Sequence, residues 1–308
     1  MNRIEELEKI ILLLKDDEWR VRESALDALG SILQAMPAKE ALERVILLLK
    51  DNSSDVRYWA SKVLESILQC DPSLAIDALE QIISFLKDEQ GYVRYFAIKA
   101  LGKIVACDPS LANKELLEQI KPLLKDKEYY VRESALDALA GIVACDPSLA
   151  KEALEQIKPL LKDDLSSVRG SAIDALGKII DINPSLVNKE LLEQIILSIK
   201  NDEWNVTYSA INTFGKILAC DPNLAKEALE QIIPLLKDDS SSVQKYWAIK
   251  ALAGIVACDP SLVNQTLLEQ MIPLLRDKYW EVRDSVIDVL GEIMALVQIT
   301  FKTKQKGE

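Results

Sequence analysis

The stretch YVRYFAIKALGKIVACDPSLA, from Tyr92 to Ala112, decides the fold because versions of it recur along the chain. One version, VRESALDALAGIVACDPSLA, begins at Val131. Its apolar residues recur at helical spacing, which predicts an amphipathic helix with one buried stripe. The stripe consists of Val131, Ala135, Ala138, Leu139, Ile142 and Val143. The Asp-Pro that follows predicts a turn, because aspartate caps a following helical segment and proline suits its first turn.

A second marker shows that the whole chain is repetitive. Six residues before each of eight valines lies a Lys-Asp pair or a close variant, and these pairs follow one another at intervals of 35 to 39 residues. The valines are Val21, Val56, Val93, Val131, Val168, Val206, Val243 and Val282. Each unit holds two helical patterns, helix A, typified by KEALEQIKPLLKD from Lys151, and helix B, which begins at the valine. The predicted repeats span residues 1–36, 37–71, 72–108, 109–146, 147–183, 184–221, 222–259 and 260–298, followed by a tail at 299–308.

This pattern resembles the HEAT-repeat family, in which a helix pair carries a proline in helix A, an aspartate at the turn and Val-Arg at the start of helix B. The resemblance implies an all-α fold, an α-solenoid (right-handed superhelix) of about eight HEAT-like helix pairs in a single domain, residues 1–308. It also implies that helices A lie on the convex side and helices B on the concave side. By the same resemblance, the turn aspartates would bond arginines of adjacent repeats; they are Asp51, Asp88, Asp126 and Asp163. Family members mostly act as scaffolds that bind other macromolecules.

The composition argues against several classes of function. With 37 basic and 49 acidic side chains the formal net charge is −12, which opposes general binding to phosphate backbones. Because the chain has no histidine, Ser-His-Asp, Cys-His and histidine-containing zinc sites are impossible within it. We therefore expect no enzyme activity, no catalytic residue, no cofactor and no metal site. The lack of a leader pattern and of a membrane-length apolar run predicts a cytoplasmic protein without a membrane partner.

The five cysteines occupy a single repeat position at the end of helix B, where other repeats place Ala35, Ile182 and Leu296. They are Cys70, Cys107, Cys145, Cys220 and Cys258. A position that accepts Cys, Ala, Ile or Leu favours a small or medium apolar side chain, and the wide spacing excludes a CxxC motif. We therefore predict buried structural thiols.

Two departures from the repeat predict local irregularity. Prolines inside helix A predict a kink, because they remove a backbone donor and clash with the preceding turn. They are Pro122, Pro159, Pro234 and Pro273. Repeat six replaces the Asp and Arg by Asn201 and Thr207. Repeat seven is predicted to place Gln244 at the arginine position and to carry one extra residue near Lys245.

Function in a repeat protein is expected where exposed residues differ between copies. The second, third and sixth residues after the valine of helix B are predicted to point away from the core stripe. Several repeats place Ser and Asp there, whereas repeats two, three and seven place an aromatic pair and a lysine. Tryptophan and tyrosine dominate interface hot spots, and a lysine beside them makes cation–π contacts. The predicted partner-binding residues are Tyr58, Trp59, Lys62, Tyr92, Tyr95, Phe96, Lys99, Tyr246, Trp247 and Lys250.

The leading hypothesis is a non-enzymatic scaffold that binds a protein or peptide on its concave helix-B face, with aromatic/Lys patches in repeats two and three and in repeat seven. The alternative for the rings is that they only cover a neighbouring turn. Nucleic-acid binding is a second hypothesis, which the acidic charge disfavours. Near-identical copies such as CDPSLAKEALEQI and CDPNLAKEALEQI fit recent duplication or an engineered scaffold with no native partner, and both stay open. The last helix has apolar residues on more than one face, so its tail or self-association through the C-terminal repeat would cover it.

Overall fold

The structure, a computed structural model, describes residues 9–10, 12–13, 16–34, 38–70, 79–200, 203–237 and 242–306. Every regular element in these ranges is helical, which confirms the predicted all-α class. None of the helices in them is long and apolar enough to cross a bilayer. The first predicted helix A, before Asp16, lies mostly outside the described residues.

Long and short helices alternate along the chain, as two helices per repeat require. The long ones match the predicted helices B and are α1 (Trp19–Gln34), α3 (Ser54–Cys70), α5 (Gly91–Cys107), α7 (Tyr129–Cys145), α9 (Ser166–Ile182), α11 (Trp204–Cys220), α13 (Ser242–Cys258) and α15 (Trp280–Lys306). The short ones match helices A and are α2 (Ala38–Leu48), α4 (Leu79–Phe85), α6 (Lys114–Ile120), α8 (Ala150–Ile157), α10 (Lys189–Ile199), α12 (Ala225–Ile232) and α14 (Gln265–Met271).

The chain divides into two compact units, residues 1–156 (unit 1) and 157–308 (unit 2). In unit 1, α3 packs on α5 and α5 on α7; in unit 2, α9 packs on α11, α11 on α13 and α13 on α15. Within each unit, helices A also pack on the helix B that follows them, as α2 does on α3 and α10 on α11. This side-by-side stacking of consecutive helix pairs is the predicted α-solenoid fold.

The prolines inside helix A interrupt it, as predicted, by changing its geometry. The segments that contain them are 3-10 turns at Lys121–Lys125, Lys158–Lys162, Ile233–Leu236 and Ile272–Arg276. Helix α10 has no proline, and it stays α-helical throughout Lys189–Ile199. The Asp-Pro turns also behave as predicted, since Asp108 accepts a hydrogen bond from the backbone N–H of Ser110 at 3.0 Å.

Arginines at the start of helix B link adjacent repeats, as the family resemblance implied. The Nη1 of Arg94 donates to the carbonyl oxygens of Asp88 and Glu89, at 2.7 and 3.0 Å, and thereby closes its own turn. Its Nε and Nη2 donate to the two carboxylate oxygens of Asp126 in the next repeat, at 2.7 and 2.6 Å. Arg57 pairs more loosely with Asp88, at 3.5 Å. These bonds between repeats form a ladder that is structural, and its Arg94–Asp126 pair is buried.

The predicted register of repeat seven is wrong for Val243 and Gln244 and correct from Tyr246 onward. The extra residue lies in the segment before α13, and α13 has the same 17 residues as α5. Lys245, not Gln244, holds the arginine position: it is buried, and its Nζ lies 2.8 Å from a carboxylate oxygen of Asp277. Gln244 takes the place of the buried valines, and Val243, which is 41% exposed, takes the place of Tyr92.

The prediction of buried thiols is also wrong in part. Cys107 is exposed, and Cys145, Cys220 and Cys258 are half-buried. Each is the last residue of its helix B. The side chain of Cys70 lies outside the described residues.

The last helix is longer than predicted, because α15 continues to Lys306 through most of the expected tail. Ile287 and Met294 are exposed on it, which agrees with the predicted apolar residues on more than one face.

Candidate functional site

Seven rings of unit 1 form a continuous aromatic row at the starts of α3, α5 and α7. Their members are Tyr58, Trp59, Tyr92, Tyr95, Phe96, Tyr129 and Tyr130. Neighbouring ring centroids lie 4.6 to 6.4 Å apart, within the range of favourable aromatic pairs. The structure therefore brings together all the aromatic residues predicted for repeats two and three and adds the tyrosine pair of repeat four.

The centre of the aromatic row is a stacked pair, Tyr92 and Tyr130, with centroids 4.9 Å apart and planes inclined by 12°. Gly91 makes room for it, because a Cβ there would lie 2.5 Å from the Tyr130 hydroxyl oxygen. Burial, followed by the nearby charge of Glu128, raises the pKa of Tyr130 to about 12, so its hydroxyl stays protonated. These rings fill the space between their helices and contribute to packing.

The lysines of the aromatic repeats contact rings of their own helices, as predicted. Lys62 Nζ lies 5.2 Å from the ring centroid of Tyr58 and 5.1 Å from that of Trp59. Lys99 Nζ lies 5.8 Å from the centroid of the Tyr95 ring. These distances fit cation–π contacts.

The third residue after the valine position is buried in most repeats, so its predicted exposure is wrong. Phe96 and Trp247 are both largely buried. The buried serines at the same position are Ser134, Ser209 and Ser285. The reason is helical geometry, since residues three apart share a face and this position therefore lies beside the core stripe. Phe96 and Trp247 form the floor on which the outer rings rest.

Unit 2 has a cavity of 540 Å³ where unit 1 has stacked rings, at the starts of α11, α13 and α15. We call it the aromatic pocket. Its ring residues are Trp204, Tyr246, Trp247, Tyr279 and Trp280, its charged residues are Lys250, Glu281, Asp284 and Asp288, and its remaining residues are Ser242, Val243 and Ser285. A volume of this size matches the roughly 300–1,000 Å³ of ordinary ligand sites.

The pocket combines a buried floor with exposed rims. Trp247 forms the floor, and the ring centroids of Trp204 and Tyr246 each lie 4.9 Å from its own. Trp204 and Trp280 are 62% and 63% exposed, which is unusual for the largest apolar side chain. Large, exposed rings around a cavity are typical of a surface that gains stability when a partner covers it.

The charge of the pocket is negative. Lys250 Nζ lies 3.6 Å from a carboxylate oxygen of Asp288 and 5.7 Å from the Tyr246 ring centroid. Among the described residues, Glu281 and Asp284 make no ion pair. One lysine therefore faces three carboxylates.

The sequence predicted only part of this site. It named Tyr246, Trp247 and Lys250, which the structure places together, but it assigned the serine and aspartate of repeat eight to a separate class of surface. Asp284 and Asp288 in fact line the same pocket as the repeat-seven rings. The order of the repeats could have indicated that these residues meet, because the aromatic repeat seven stands directly before the Ser/Asp repeat eight.

Among the described residues, no group of three or more His, Cys, Asp and Glu side chains has the arrangement of a metal site. The pocket's chemistry is therefore that of aromatic faces, carboxylates and one ammonium group.

The fold and the row of non-copied residues on helices B define an α-solenoid repeat protein. Two family models match the chain: HEAT repeats, over residues 7–84 and 47–140, and the adaptin N terminal region, over residues 118–299. Together they span nearly all of it. The chain belongs to the HEAT-repeat family. No curated protein sequence matches it significantly.

Solved structures share this fold at low sequence identity. An engineered protein is 22% identical with a TM-score of 0.57, and the match covers 94% of this chain and 78% of that one. A structure of Kap95p with RanGDP gives a match with 14% identity and a TM-score of 0.70. That match covers 98% of this chain but only 42% of the other, so this chain spans less than half of its length. At these identities the likeness concerns the fold alone.

Proposed function

We propose that this protein is a non-enzymatic scaffold that binds a protein or peptide segment on its helix-B face. The aromatic pocket of unit 2 is the main contact. The outer rings and lysines of the aromatic row in unit 1 provide a second contact surface, in line with the residues predicted from the sequence.

The observation that carries this proposal is the aromatic pocket with its exposed tryptophans. Trp204 and Trp280 each leave more than half of the side chain in contact with solvent beside a cavity with a buried floor. Covering such a ring supplies about 2 kcal/mol or more of binding free energy when it acts as a hot spot. A peptide side chain inserted between the rings would gain this energy without any rearrangement of the helices.

The class of partner follows from fold and charge. Kap95p, which shares the fold, has a solved structure that concerns its binding to the protein RanGDP, and this supports a protein partner. Nucleic acid fits less well, because a pocket with three carboxylates and one lysine repels phosphate groups. The net charge of −12 acts in the same direction. An origin by duplication or by engineering would leave this binding surface equally usable.

A peptide-display selection on the immobilised chain tests the proposal. We expect enriched peptides whose binding is lost in Trp204→Ala and Trp280→Ala, and far-ultraviolet circular dichroism shows whether each variant keeps its helix content. Leu197→Ala is the matched control, since Leu197 is a large apolar side chain on α10, 63% exposed and not part of the pocket. A selection without enrichment would overturn the function, and equal binding by the Trp280 and Leu197 variants would overturn the site.

A further inference from the structure

We infer that the aromatic pocket of unit 2 binds an arginine side chain of a peptide. This inference rests on the proposed function and deepens it by naming the chemistry that the pocket selects. It is carried by the residues that replace the stacked tyrosines of unit 1, by the unpaired carboxylates and by the exposed rings.

The pocket exists because two residues differ from their counterparts in unit 1. Helices α5 and α13 have equal length, so Val243 in α13 holds the position of Tyr92 in α5. By the same comparison of the starts of α7 and α15, Glu281 holds the position of Tyr130. The stacked pair that fills unit 1 is thus replaced in unit 2 by a small side chain and a carboxylate. The substitution opens the space and makes it acidic.

The carboxylates of α15 form one stripe that only a single lysine neutralises in part. Glu281, Asp284 and Asp288 are spaced by three and four residues, so they lie on one face of the helix. Like charges at this spacing destabilise a helix. Lys250 pairs with Asp288 only, and among the described residues the other two carboxylates have no cation. A cationic ligand group would relieve this repulsion.

The rings favour a planar cation. A guanidinium stacks on aromatic faces and also donates two parallel hydrogen bonds to a carboxylate, whereas an ammonium group is a compact, strongly hydrated point charge. Exposed Trp280 precedes Glu281 and lies four residues before Asp284, so an indole and two carboxylates meet at the start of α15. This is the combination that a guanidinium satisfies and a lysine satisfies only in part.

A peptide fits better than a free cation, because the floor of the pocket offers a donor. The Nε1 of buried Trp247 has no acceptor within the described part of the chain. An unsatisfied buried donor is unfavourable, and a peptide carbonyl would supply its missing partner when the side chains that bury this nitrogen shift on binding.

The test compares three peptides in titrations at low salt followed by tryptophan fluorescence. The probes are acetyl-Gly-Gly-Arg-Gly-Gly-amide and the same peptide with lysine or with citrulline in place of arginine. We expect the arginine peptide to bind at least about fivefold more tightly than the lysine peptide, because only arginine combines stacking with a bidentate hydrogen bond. We expect the neutral citrulline peptide not to bind. Equal affinity for lysine, or binding of citrulline, would overturn the assignment.

Variants locate the binding to this pocket. Glu281→Gln with Asp284→Asn should weaken the arginine peptide at least about tenfold, which corresponds to about 1.4 kcal/mol. Asp174→Asn is the matched control, since Asp174 is an exposed aspartate of α9 outside the pocket. Val243→Tyr with Glu281→Tyr should rebuild the stacked pair of unit 1 and abolish binding. Unchanged affinity in both double variants would overturn the inference.

The outcomes separate this inference from the proposed function. Displayed peptides that depend on Trp280 but carry no arginine would overturn the arginine assignment and leave the scaffold function intact. A display selection without enrichment, together with no binding of the arginine peptide, would overturn both.

Discussion

Replacing Arg94 by methionine measures what the ladder between repeats contributes. The change removes two hydrogen bonds to Asp126 and two to the carbonyls of the preceding turn. It leaves the Asp126 carboxylate, whose side chain is only 8% exposed, without its cation. Removing one partner of a buried ion pair costs about 3–5 kcal/mol, so we expect the local stability of α5 and α7 to fall by about that amount.

Hydrogen exchange followed by mass spectrometry detects this loss where it occurs. Because a repeat contacts only its neighbours, amides of α5 and α7 should exchange about 150- to 4,000-fold faster, since each 1.4 kcal/mol corresponds to a factor of ten. Amides of α11 and α13 should not change. Circular dichroism of the variant confirms that its helix content is retained.

Arg169→Met is the matched control. Arg169 occupies the same repeat position and donates to the carbonyl of Asp163 at 2.7 Å. Its carboxylate partner, however, is Glu203, whose side chain is 47% exposed. Exposed ion pairs contribute at most about 1 kcal/mol, so this variant should lose only about 1–2 kcal/mol in total. Equal losses in the two variants, or faster exchange in α11 after Arg94→Met, would refute the reasoning.

Three further predictions concern single side chains. Burial raises the pKa of Asp277, but hydrogen bonds from Lys245 and from the Tyr279 N–H outweigh it and hold this pKa below its usual value. Lys245→Met should therefore destabilise the protein most near neutral pH. The difference in urea midpoint between the parent protein and this variant should shrink as the pH falls through about 4, and a difference independent of pH would contradict this. Exposed Cys107 should react with iodoacetamide faster than Cys258, because burial raises the pKa of the Cys258 thiol. Peptide mapping that finds equal rates for the two thiols would refute the difference in their burial. Gly91→Ala should lower the free energy of unfolding by about 1–3 kcal/mol through the clash with the Tyr130 hydroxyl, and adding Tyr130→Phe should restore part of that loss. Urea denaturation measures both changes, and an unaltered midpoint in Gly91→Ala would show that the turn adapts.

The parts of the fold that depend on periodicity were predictable. The apolar stripe of helix B follows from 3.6 residues per turn, and the stripe valines such as Val93 and Val131 are buried as that spacing requires. The proline interruptions were equally readable, because a missing backbone donor acts locally whatever the neighbours are.

The register of α13 was not predictable in the same way. The extra residue of repeat seven can stand before or after Val243 without breaking the helical pattern, and only packing decides between the two. Burial of Lys245 against Asp277 selects the arrangement in which the insertion lies in the preceding segment. Lys245 supplies the positive charge that arginine supplies in other repeats, and the sequence pattern alone does not reveal this substitution.

The aromatic pocket needed information from two repeats at once. Tyr246 and Trp247 were identified because they differ from the residues at the same positions in most other repeats, but the carboxylates that complete the pocket belong to the next helix B. Their juxtaposition depends on how closely α13 and α15 pack, which no single repeat encodes. The predicted exposure of Phe96 failed for a simpler reason, since its spacing from Val93 places it beside the core.

The central claim is that the ligand is selected by residues that differ between repeats. The five tryptophans provide its most direct test. A proton–nitrogen correlation spectrum gives one indole N–H signal for each of them, assigned by Trp→Phe variants. On addition of acetyl-Gly-Gly-Arg-Gly-Gly-amide, we predict that the signals of Trp204, Trp247 and Trp280 shift while those of Trp19 and Trp59 do not. Five unchanged signals, or shifts confined to Trp19 and Trp59, would contradict the account.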